Sequence, residues 1–477
     1  MFDFEFGDYD DPTSGDALRQ LIDAYEEGRR TGSVGFYDSE TLEDIATFYF
    51  EEGRLEDALE VIDRLLAAQP YSSAAWLRRG VLLNHLERHT EALDAYDRAL
   101  ALNPADAETL INRGITLDTL DRLDEALGAY YAVLDLDPLN EDALFNLGIA
   151  LEKKGDYAQA IGVLGECADL AQDHPEVWYE LGYCYDQLGR FDDAIAAYDK
   201  QIDLEPYSEN AWYNRGIVLN QLGRYADAVE SYEFALAIRD EFASAWYNKG
   251  NALANLSRPR EAIEAYLKVL AYEDGDAATF YNLGLAYEDL GELPTAIDYL
   301  RRSVQVDPLY ADAWYGLGCC LDAENAHDEA LPCFAKALEL RPEAGEFWQA
   351  RADTEYNAGR LTDSLRSYAR VVQLEPHNAD AWLDLADTQY DAGAYAEALA
   401  SYDRALALDA RSVDALLRRA HLLFTLDRRA EAIDSLRRAF ELDPAKREEV
   451  RRAYPELASD SQSRHLFGPL EGGKPRS

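Results

Sequence analysis

A bulky apolar residue recurs every 34 residues along almost the whole chain, and all seven tryptophans lie at this position. The twelve residues that occupy it are Leu42, Trp76, Leu110, Leu144, Trp178, Trp212, Trp246, Phe280, Trp314, Trp348, Trp382 and Leu416. A period of this length indicates one structural unit that is copied along the chain and buries its apolar face against its neighbours. The chain is therefore predicted to fold as a stack of repeats rather than around one central core.

Two small residues hold fixed places in each repeat. Four residues after the tryptophan position the chain has only Gly or Ala, as at Gly216 and Ala352. Sixteen residues after it the chain has Ala in every repeat but one, where Ser364 stands. Small side chains at two places allow two helices to approach closely. Each repeat is thus predicted to contain a pair of closely packed helices.

Turn-forming residues separate and end these helices. Between the two small positions lies a residue that is usually Gly and otherwise often Asn or Asp, the types that tolerate a left-handed backbone. Prolines such as Pro70 and Pro138 follow the second helix, and Ser72 and Asn140 can cap the next one. Each unit is therefore predicted to be a helical hairpin, and the fold class is all-α.

The stretch WYNRGIVLNQLGRYADAVESYEFALAI, with Trp212, Gly216, Ala228, Tyr232 and Ala235, resembles the tetratricopeptide repeat, or TPR. The resemblance covers residues 39–446 as twelve repeats of 34 residues, and extends to bacterial proteins that consist only of such repeats. It implies a right-handed superhelical α-solenoid of stacked hairpins, whose first helices line a concave groove that binds proteins or peptides.

The segments outside the repeats are expected to cap the stack or to be disordered. We predict an acidic disordered tail over 1–14 and an N-terminal capping helix with its linker over 15–38. At the other end we predict a C-terminal capping helix over 447–458 and a disordered tail over 459–477.

Charge and composition limit the partners. A net charge of −47 disfavours nucleic acid and anionic membranes, because both would be repelled. No uncharged run approaches the roughly 20 residues that span a bilayer, and the acidic start lacks the features of a secretory signal. Five cysteines without a CxxC pair fit free thiols, so we expect a cytoplasmic protein. The charge is open to two interpretations, adaptation to high salt or a basic partner.

The two residues that follow the tryptophan position lie off the packed stripe and are predicted to line the groove. The first forms an aromatic ladder of Phe145, Tyr179, Tyr213, Tyr247, Tyr281 and Tyr315, and the second forms an asparagine ladder of Asn112, Asn146, Asn214, Asn248 and Asn282. An amide offers both a donor and an acceptor to the backbone of an extended peptide. The asparagine ladder also resembles the one that clamps peptides in O-linked N-acetylglucosamine transferases. Duplication of one ancestral repeat is the alternative explanation.

Acidic residues replace asparagine toward the C-terminus. Asp384 lies at the asparagine position, and Asp353 and Asp387 come five residues after Trp348 and Trp382. This part of the groove is therefore expected to prefer a basic segment of its ligand.

No nucleotide-binding, metalloprotease or nucleophile-elbow motif occurs, and His85 and His89 have no third ligand partner in the sequence. We therefore predict no enzyme activity, metal or cofactor. The predicted function is a protein–protein interaction scaffold or adaptor that holds an extended peptide. The alternatives are a self-assembly unit whose groove holds its own or a neighbour's acidic N-terminal tail, and a noncatalytic subunit of an enzyme complex. Partner identity and oligomeric state stay open.

Overall fold

The structure is a computed structural model that describes residues 12–33 and 35–467, with the backbone alone for 12–17. These residues form helices and no strand. Contacts divide the chain into two units, residues 1–240 and 241–477, and each holds six helical hairpins. The prediction of an all-α stack of hairpins is confirmed.

The first unit begins with α1 (Pro12–Thr31). Its six hairpins are α2 (Ser39–Glu51) with α3 (Leu55–Ala68), α4 (Ser73–His85) with α5 (His89–Leu102), α6 (Ala107–Thr119) with α7 (Leu123–Leu136), α8 (Glu141–Lys153) with α9 (Tyr157–Leu170), α10 (Pro175–Gln187) with α11 (Phe191–Leu204), and α12 (Glu209–Gln221) with α13 (Tyr225–Ile238).

The second unit continues the pattern. Its hairpins are α14 (Ala243–Asn255) with α15 (Pro259–Tyr272), α16 (Ala277–Asp289) with α17 (Leu293–Val306), α18 (Ala311–Ala323) with α19 (His327–Leu340), α20 (Gly345–Asn357) with α21 (Leu361–Leu374), α22 (Ala379–Asp391) with α23 (Tyr395–Leu408), and α24 (Val413–Thr425) with α25 (Arg429–Leu442). Two short helices follow, α26 (Lys446–Ala453) and α27 (Pro455–Ser459), and then a 3₁₀ turn, Arg464–Phe467.

The turn inside every hairpin has the predicted left-handed residue. Its φ angle is positive in all twelve repeats, from 56° at Ser257 to 85° at Gly155. The non-glycine residues adopt the same conformation, for example Asp121 with φ 59° and Asn325 with φ 61°. Between hairpins, Ser72 and Asn140 accept hydrogen bonds from backbone N–H groups of the following helix, as the capping prediction requires.

The tryptophans fasten the loop that joins one hairpin to the next. The indole Nε1–H of Trp212 donates to the backbone carbonyl of Pro206 at 3.0 Å, and Trp76, Trp314, Trp348 and Trp382 make the equivalent bond. Each indole therefore satisfies a carbonyl that follows the last turn of the preceding helix. This bond explains why the position often holds tryptophan and not simply any bulky apolar residue.

The first small position lies under a large side chain of the second helix. A Cβ at Gly216 would come 2.5 Å from Cε1 of Tyr232, and the equivalent tyrosine of each hairpin covers Gly80, Gly114, Gly182 and Gly250. Tyr232 has no exposed surface. The hairpin is thus held by a ring packed against a glycine, a closer fit than two small residues facing each other.

The ends of the chain differ from the predicted boundaries. The first helix begins at Pro12, inside the segment predicted as disordered, whereas residues 1–11 lie outside the described part. The predicted C-terminal capping helix is two helices, because Pro455 has no N–H and Tyr454 before it has φ −131° and ψ 70°. The prediction of a disordered tail from 459 is wrong up to Phe467, which is only 5% exposed and packs on Phe440. Residues 468–477 lie outside the described part.

Candidate functional site: the inner face

The first helices of successive hairpins come into contact with one another within each unit. In the first unit α4 contacts α6, α6 contacts α8, α8 contacts α10, and α10 contacts α12. In the second unit α14 contacts α16, α16 contacts α18, and α18 contacts α20. Among the described residues no two second helices approach as closely. We call the surface formed by the first helices of a unit its inner face.

The residues of the aromatic ladder are half-buried on the inner faces of the two units. Tyr179, Tyr213, Tyr247, Tyr281 and Tyr315, together with Phe145, are neither fully buried nor fully exposed. Tyr179 packs on Tyr198 with ring centroids 6.0 Å apart, and Tyr247 packs on Tyr266 at the same distance. One side of each of these rings therefore supports the hairpin, and the remaining surface is available at the inner face.

Two tyrosines are linked by asparagines of the next repeat. Asn214 Nδ2 donates to the Tyr179 hydroxyl at 2.9 Å, and Asn282 Nδ2 donates to the Tyr247 hydroxyl at 3.1 Å. Asn282 also donates to Asn251 Oδ1 at 3.0 Å. The two ladders are thus hydrogen-bonded to each other across repeats, which sequence analysis did not foresee. The recurring spacing of 35 residues between a tyrosine and the asparagine of the next repeat could have predicted these hydrogen bonds.

The other asparagines differ in their surroundings. Asn146 is half-buried, and its Nδ2 donates to the carbonyl of Asp142 in its own helix at 2.8 Å. Asn112 makes the same kind of bond to Glu108 but is only 7% exposed, so it contributes little surface to the face. Asn248 is half-buried in the second unit.

A second row of polar residues lies on the inner face, and sequence analysis missed it. The residues of this row come eight residues after the tryptophan position. They share one side of the first helix with the aromatic position, which lies seven residues earlier. In the first unit this polar row consists of Asn84, Asp118, Glu152, Asp186 and Asn220. The periodicity of a helix could have found it, because the residues at one, five and eight form a continuous stripe.

Contacts between first helices place this row on the inner face. Thr116 donates to Asn84 Oδ1 at 3.1 Å, and Lys153 pairs with Asp118. The Cys184 thiol lies 3.8 Å from Glu152 Oε2. Each of these contacts joins two successive repeats.

Two carboxyl groups in this region share a hydrogen bond. Glu180, which stands at the asparagine position, bonds Glu152 of the preceding repeat. Burial and the neighbouring Glu152 raise the pKa of Glu180 to about 8, and burial also raises the pKa of Glu152. The pair therefore holds a proton at neutral pH, because two adjacent charged carboxylates in a half-buried site would repel each other.

Three acceptor oxygens of the polar row are buried without a hydrogen bond from the described residues. They are Oδ1 of Asp118, Oδ1 of Asp186 and Oδ1 of Asn220. An unsatisfied buried acceptor costs roughly 1–3 kcal/mol.

The acids predicted in the C-terminal part of the groove have partners within the protein. Asp353 accepts a hydrogen bond from the Tyr368 hydroxyl, and Asp387 accepts one from Tyr402 and pairs with Arg418. Asp384 accepts only a long hydrogen bond from Gln349 Nε2, at 3.4 Å, and burial and the nearby Asp353 raise its pKa to about 6. The prediction of a basic ligand segment here therefore depends chiefly on Asp384.

The two histidines singled out in the sequence, His85 and His89, have separate neighbours. His85 packs edge-on against Phe50, and His89 Nδ1 lies 2.8 Å from Asn84 Oδ1. No group of three metal-ligating side chains occurs in the described part of the chain. Burial raises the pKa of the Cys184 and Cys320 thiols to about 12, which disfavours the reactive thiolate. None of the helices in residues 12–467 is long and apolar enough to cross a membrane.

Sequence profiles of the tetratricopeptide repeat match nearly all of the hairpins. The matched residues are 44–107, 111–166, 151–213, 209–242, 247–308, 281–345, 350–413 and 383–447. The chain belongs to the tetratricopeptide repeat family. Both the family and the stacked hairpins support a protein–protein interaction scaffold, since TPR proteins generally bind protein or peptide partners.

Solved structures with a similar fold cover part of the chain. The MamA protein is 28% identical and matches 35% of this chain and 92% of its own, with a TM-score of 0.34. YrrB, described as a TPR protein with an unusual peptide-binding site, is 24% identical over 39% of this chain and 96% of its own, with a TM-score of 0.36. A TPR protein of Parabacteroides merdae is 18% identical over 52% of this chain and 98% of its own, with a TM-score of 0.40. No curated protein matches the sequence.

Proposed function

We propose that the protein is a non-enzymatic scaffold that holds extended segments of a partner protein on the inner faces of its units, through the aromatic and asparagine ladders. The observation that carries the proposal is the direction of the asparagine hydrogen bonds. In Asn146, Asn214 and Asn282 the amide nitrogen donates within the protein. The carbonyl oxygen of each side chain is then the group offered to a ligand.

An extended polypeptide fits such a row of acceptors. Its backbone N–H groups need partners, and a row of amide oxygens supplies them without selecting a sequence. Neighbouring packed helices lie roughly 8–10 Å apart, and an extended chain advances about 3.3 Å per residue. One backbone N–H in about every three could therefore meet one asparagine per repeat.

The tyrosines add apolar contact area at a low cost in conformational entropy. Their rings are already fixed against the hairpin, as for Tyr179 on Tyr198 and Tyr247 on Tyr266. The hydroxyls of these two tyrosines accept the asparagine bonds, so each asparagine side chain is also held in position. Such pre-organisation favours tight binding.

The test is affinity capture from a lysate of the source organism with three forms of the protein. The ladder variant carries Asn146→Ala, Asn214→Ala and Asn282→Ala. The control variant carries Asn255→Ala and Asn357→Ala, which change exposed asparagines at the ends of first helices. Circular dichroism must first show equal helicity for all three.

We expect the wild type and the control variant to retain one defined protein, and the ladder variant to lose it. Proteolysis of the captured complex should then leave one protected segment of the partner. Equal capture by all three forms would contradict the role of the ladder and favour inheritance from an ancestral repeat.

A further inference from the structure

We propose that a row of basic residues on the second helices of the second unit binds the acidic segment 1–11 of a second copy of this chain. The row comes 22 residues after the tryptophan position and consists of Lys268, Arg302, Lys336, Arg370, Arg404 and Arg438. We call it the basic row. The inner face is formed by the first helices, so this inference concerns a different surface and goes beyond the proposed function.

The first argument is that neither composition nor packing explains the basic row. Six successive repeats have a cation at this position, although Lys and Arg make up only 45 of the 477 residues and acids number 92. The first unit has Ala132, Glu166 and Phe234 at the equivalent position, on helices of the same 14 residues. A hairpin can therefore pack without a cation there.

The second argument is that the positive charge of the row is accessible. Four of its six side chains are exposed, and those of Lys336 and Arg370 keep 34% and 38% of their surface. Lys336 and Arg370 each pair with one nearby glutamate. Within the described part of the chain, Arg302, Arg404 and Arg438 form no ion pair. A partner with negative side chains would supply the missing charge.

The third argument is that aromatic surface lies beside the cations. The Nζ of Lys268 lies 5.5 Å from the centre of the half-buried Trp246 ring, and both residues line one open groove. Leu267, which is 39% exposed, lines the same groove. Arg370 and Trp348 line an equivalent groove. These grooves therefore offer positive charge and apolar surface together.

The segment 1–11, MFDFEFGDYDD, has the complementary chemistry. It contains five acidic residues and no basic one, and three phenylalanines and a tyrosine stand between the acids. Its carboxylates can pair with the cations of the row, and its aromatic side chains can stack on guanidinium groups and on the half-buried tryptophans. A purely polar acidic segment would use only the first of these contacts.

The reach of the segment favours a second copy as its source. Eleven residues span at most about 40 Å when fully extended. The helix that follows the segment, α1, is fastened to the first hairpin, since Arg29 pairs with Asp57 at 2.7 Å. Five further hairpins, with neighbouring helices roughly 8–10 Å apart, come next along the chain before the second unit begins. We therefore assign the bound segment to another copy, in a head-to-tail contact.

Two matched variants separate the basic row from the overall charge. The row variant carries Arg302→Gln, Arg404→Gln and Arg438→Gln. The control variant carries Arg260→Gln, Arg452→Gln and Arg464→Gln. The control residues are also exposed in the second unit but lie off the row. Both variants remove three positive charges, and circular dichroism must show that both keep the helicity of the wild type.

A third variant removes the charge of the segment. This segment variant carries Asp3→Asn, Glu5→Gln, Asp8→Asn and Asp10→Asn. Sedimentation velocity of each full-length chain measures self-association in about 0.1 M and 1 M KCl, where the screening length is roughly 10 Å and 3 Å. A labelled peptide of residues 1–11 is then titrated with the segment variant, and with a variant that combines the segment and row substitutions.

We expect the wild type and the control variant to self-associate at low salt and to become monomeric at high salt. The row variant and the segment variant should each lose roughly tenfold or more in association constant. The peptide should bind the segment variant, whose own segment no longer competes, and should not bind the combined variant.

A wild type that is monomeric at low salt would overturn the inference, even if the row bound an unrelated acidic peptide or a nucleic acid. Equal self-association of the row and control variants, or of the segment variant and the wild type, would also overturn it. The ladder variant should associate as the wild type does, because it changes only the inner face. Loss of association in the ladder variant would assign the segment to the inner face and overturn its assignment to the basic row.

Discussion

At the residue scale, the asparagine position holds an amide in some repeats and a carboxyl group in others. Asn214 and Asn282 use an amide nitrogen to donate to a tyrosine of the preceding repeat. At the same position in the repeat between Asn146 and Asn214, Glu180 bonds another carboxyl group, Glu152. A protonated carboxylic acid can donate as an amide does, but only as long as it keeps its proton.

The Glu180→Gln substitution should therefore remove a pH dependence of stability. The pKa of Glu180 rises from 4.5 to about 8 on folding, so the folded state binds the proton more tightly than the unfolded state. Protonation of Glu180 stabilises the folded state fully below about pH 4.5, and this stabilisation is lost as the pH rises toward 8. We expect Glu180→Gln to raise stability at pH 8 by on the order of 1–3 kcal/mol, with little effect at pH 5.

The measurement is the thermal midpoint of the wild type and the variant at pH 5 and pH 8. Glu166→Gln, at an exposed site of the neighbouring helix α9, is the control for the loss of one negative charge. A Glu180→Gln variant whose midpoint falls with pH as steeply as that of the wild type would show that Glu180 does not hold the proton.

At the element scale, six hairpins have a glycine on the first helix that is covered by an aromatic ring of the second helix. Gly114 illustrates the contact, since a Cβ there would lie 2.5 Å from Cε1 of Tyr130. In contrast, a Cβ added at Gly128, on the second helix of the same hairpin, would meet no neighbouring atom within 4 Å. Substitution by Ala is therefore expected to change stability in opposite directions at these two glycines of one repeat.

We expect Gly114→Ala to destabilise the protein by roughly 1–3 kcal/mol, because Tyr130 is only 1% exposed and has little room to move. Gly128→Ala should stabilise it by about 0.5–1 kcal/mol, because Ala forms helix better than Gly. Urea unfolding followed by far-UV circular dichroism gives the midpoint of each. Midpoints that shift in the same direction would argue against the ring contact.

A second expectation at this scale concerns the C-terminal segment. Phe467 packs on Phe440 with ring centroids 5.3 Å apart, and Arg451 donates to the Phe467 carbonyl at 2.6 Å. Phe467→Ala should lower stability by roughly 3 kcal/mol locally, and hydrogen exchange should speed up in α25 and α26. Leu466→Ala is the control at a half-buried neighbour. Unchanged exchange in the Phe467 variant would mean that this segment is not part of the cap.

The sequence predicted the hairpins well, because each needs local signals that repeat twelve times. The turn residues with positive φ and the capping of Ser72 and Asn140 depend on residues close in sequence. The inner face was predicted less completely. The bond from Asn214 to Tyr179 joins residues 35 apart in the sequence. Phe467 packs on Phe440 of an earlier helix, so no pattern within the C-terminal segment predicts that contact.

At the scale of the whole molecule, the twelve repeats carry a net charge of −41 that is spread along the chain, within a total of −47. Many acids pair with nearby arginines, for example Asp63 with Arg79 and Asp199 with Arg215. The excess of acids must still repel one another at low salt. The two interpretations of this charge, salt adaptation and a basic partner, are compatible with each other.

Salt should therefore stabilise the folded chain. We expect the thermal midpoint to rise by roughly 5 °C or more between 0.05 M and 1 M KCl, because the screening length falls to about 3 Å at 1 M. Circular dichroism at 222 nm follows the transition. A midpoint that falls with salt would mean that the arginine pairs outweigh the repulsion between acids.

The central claim is that a partner segment lies on the inner face, and site-specific photo-crosslinking tests it most directly. A benzophenone side chain at Ile217, on the stripe between Tyr213 and Asn220, is compared with one at the exposed Asp203 of a second helix. We predict that the first site crosslinks to one short segment of the captured partner and that the second does not. Crosslinks from Asp203 alone, or equally from both sites, would contradict binding on the inner face.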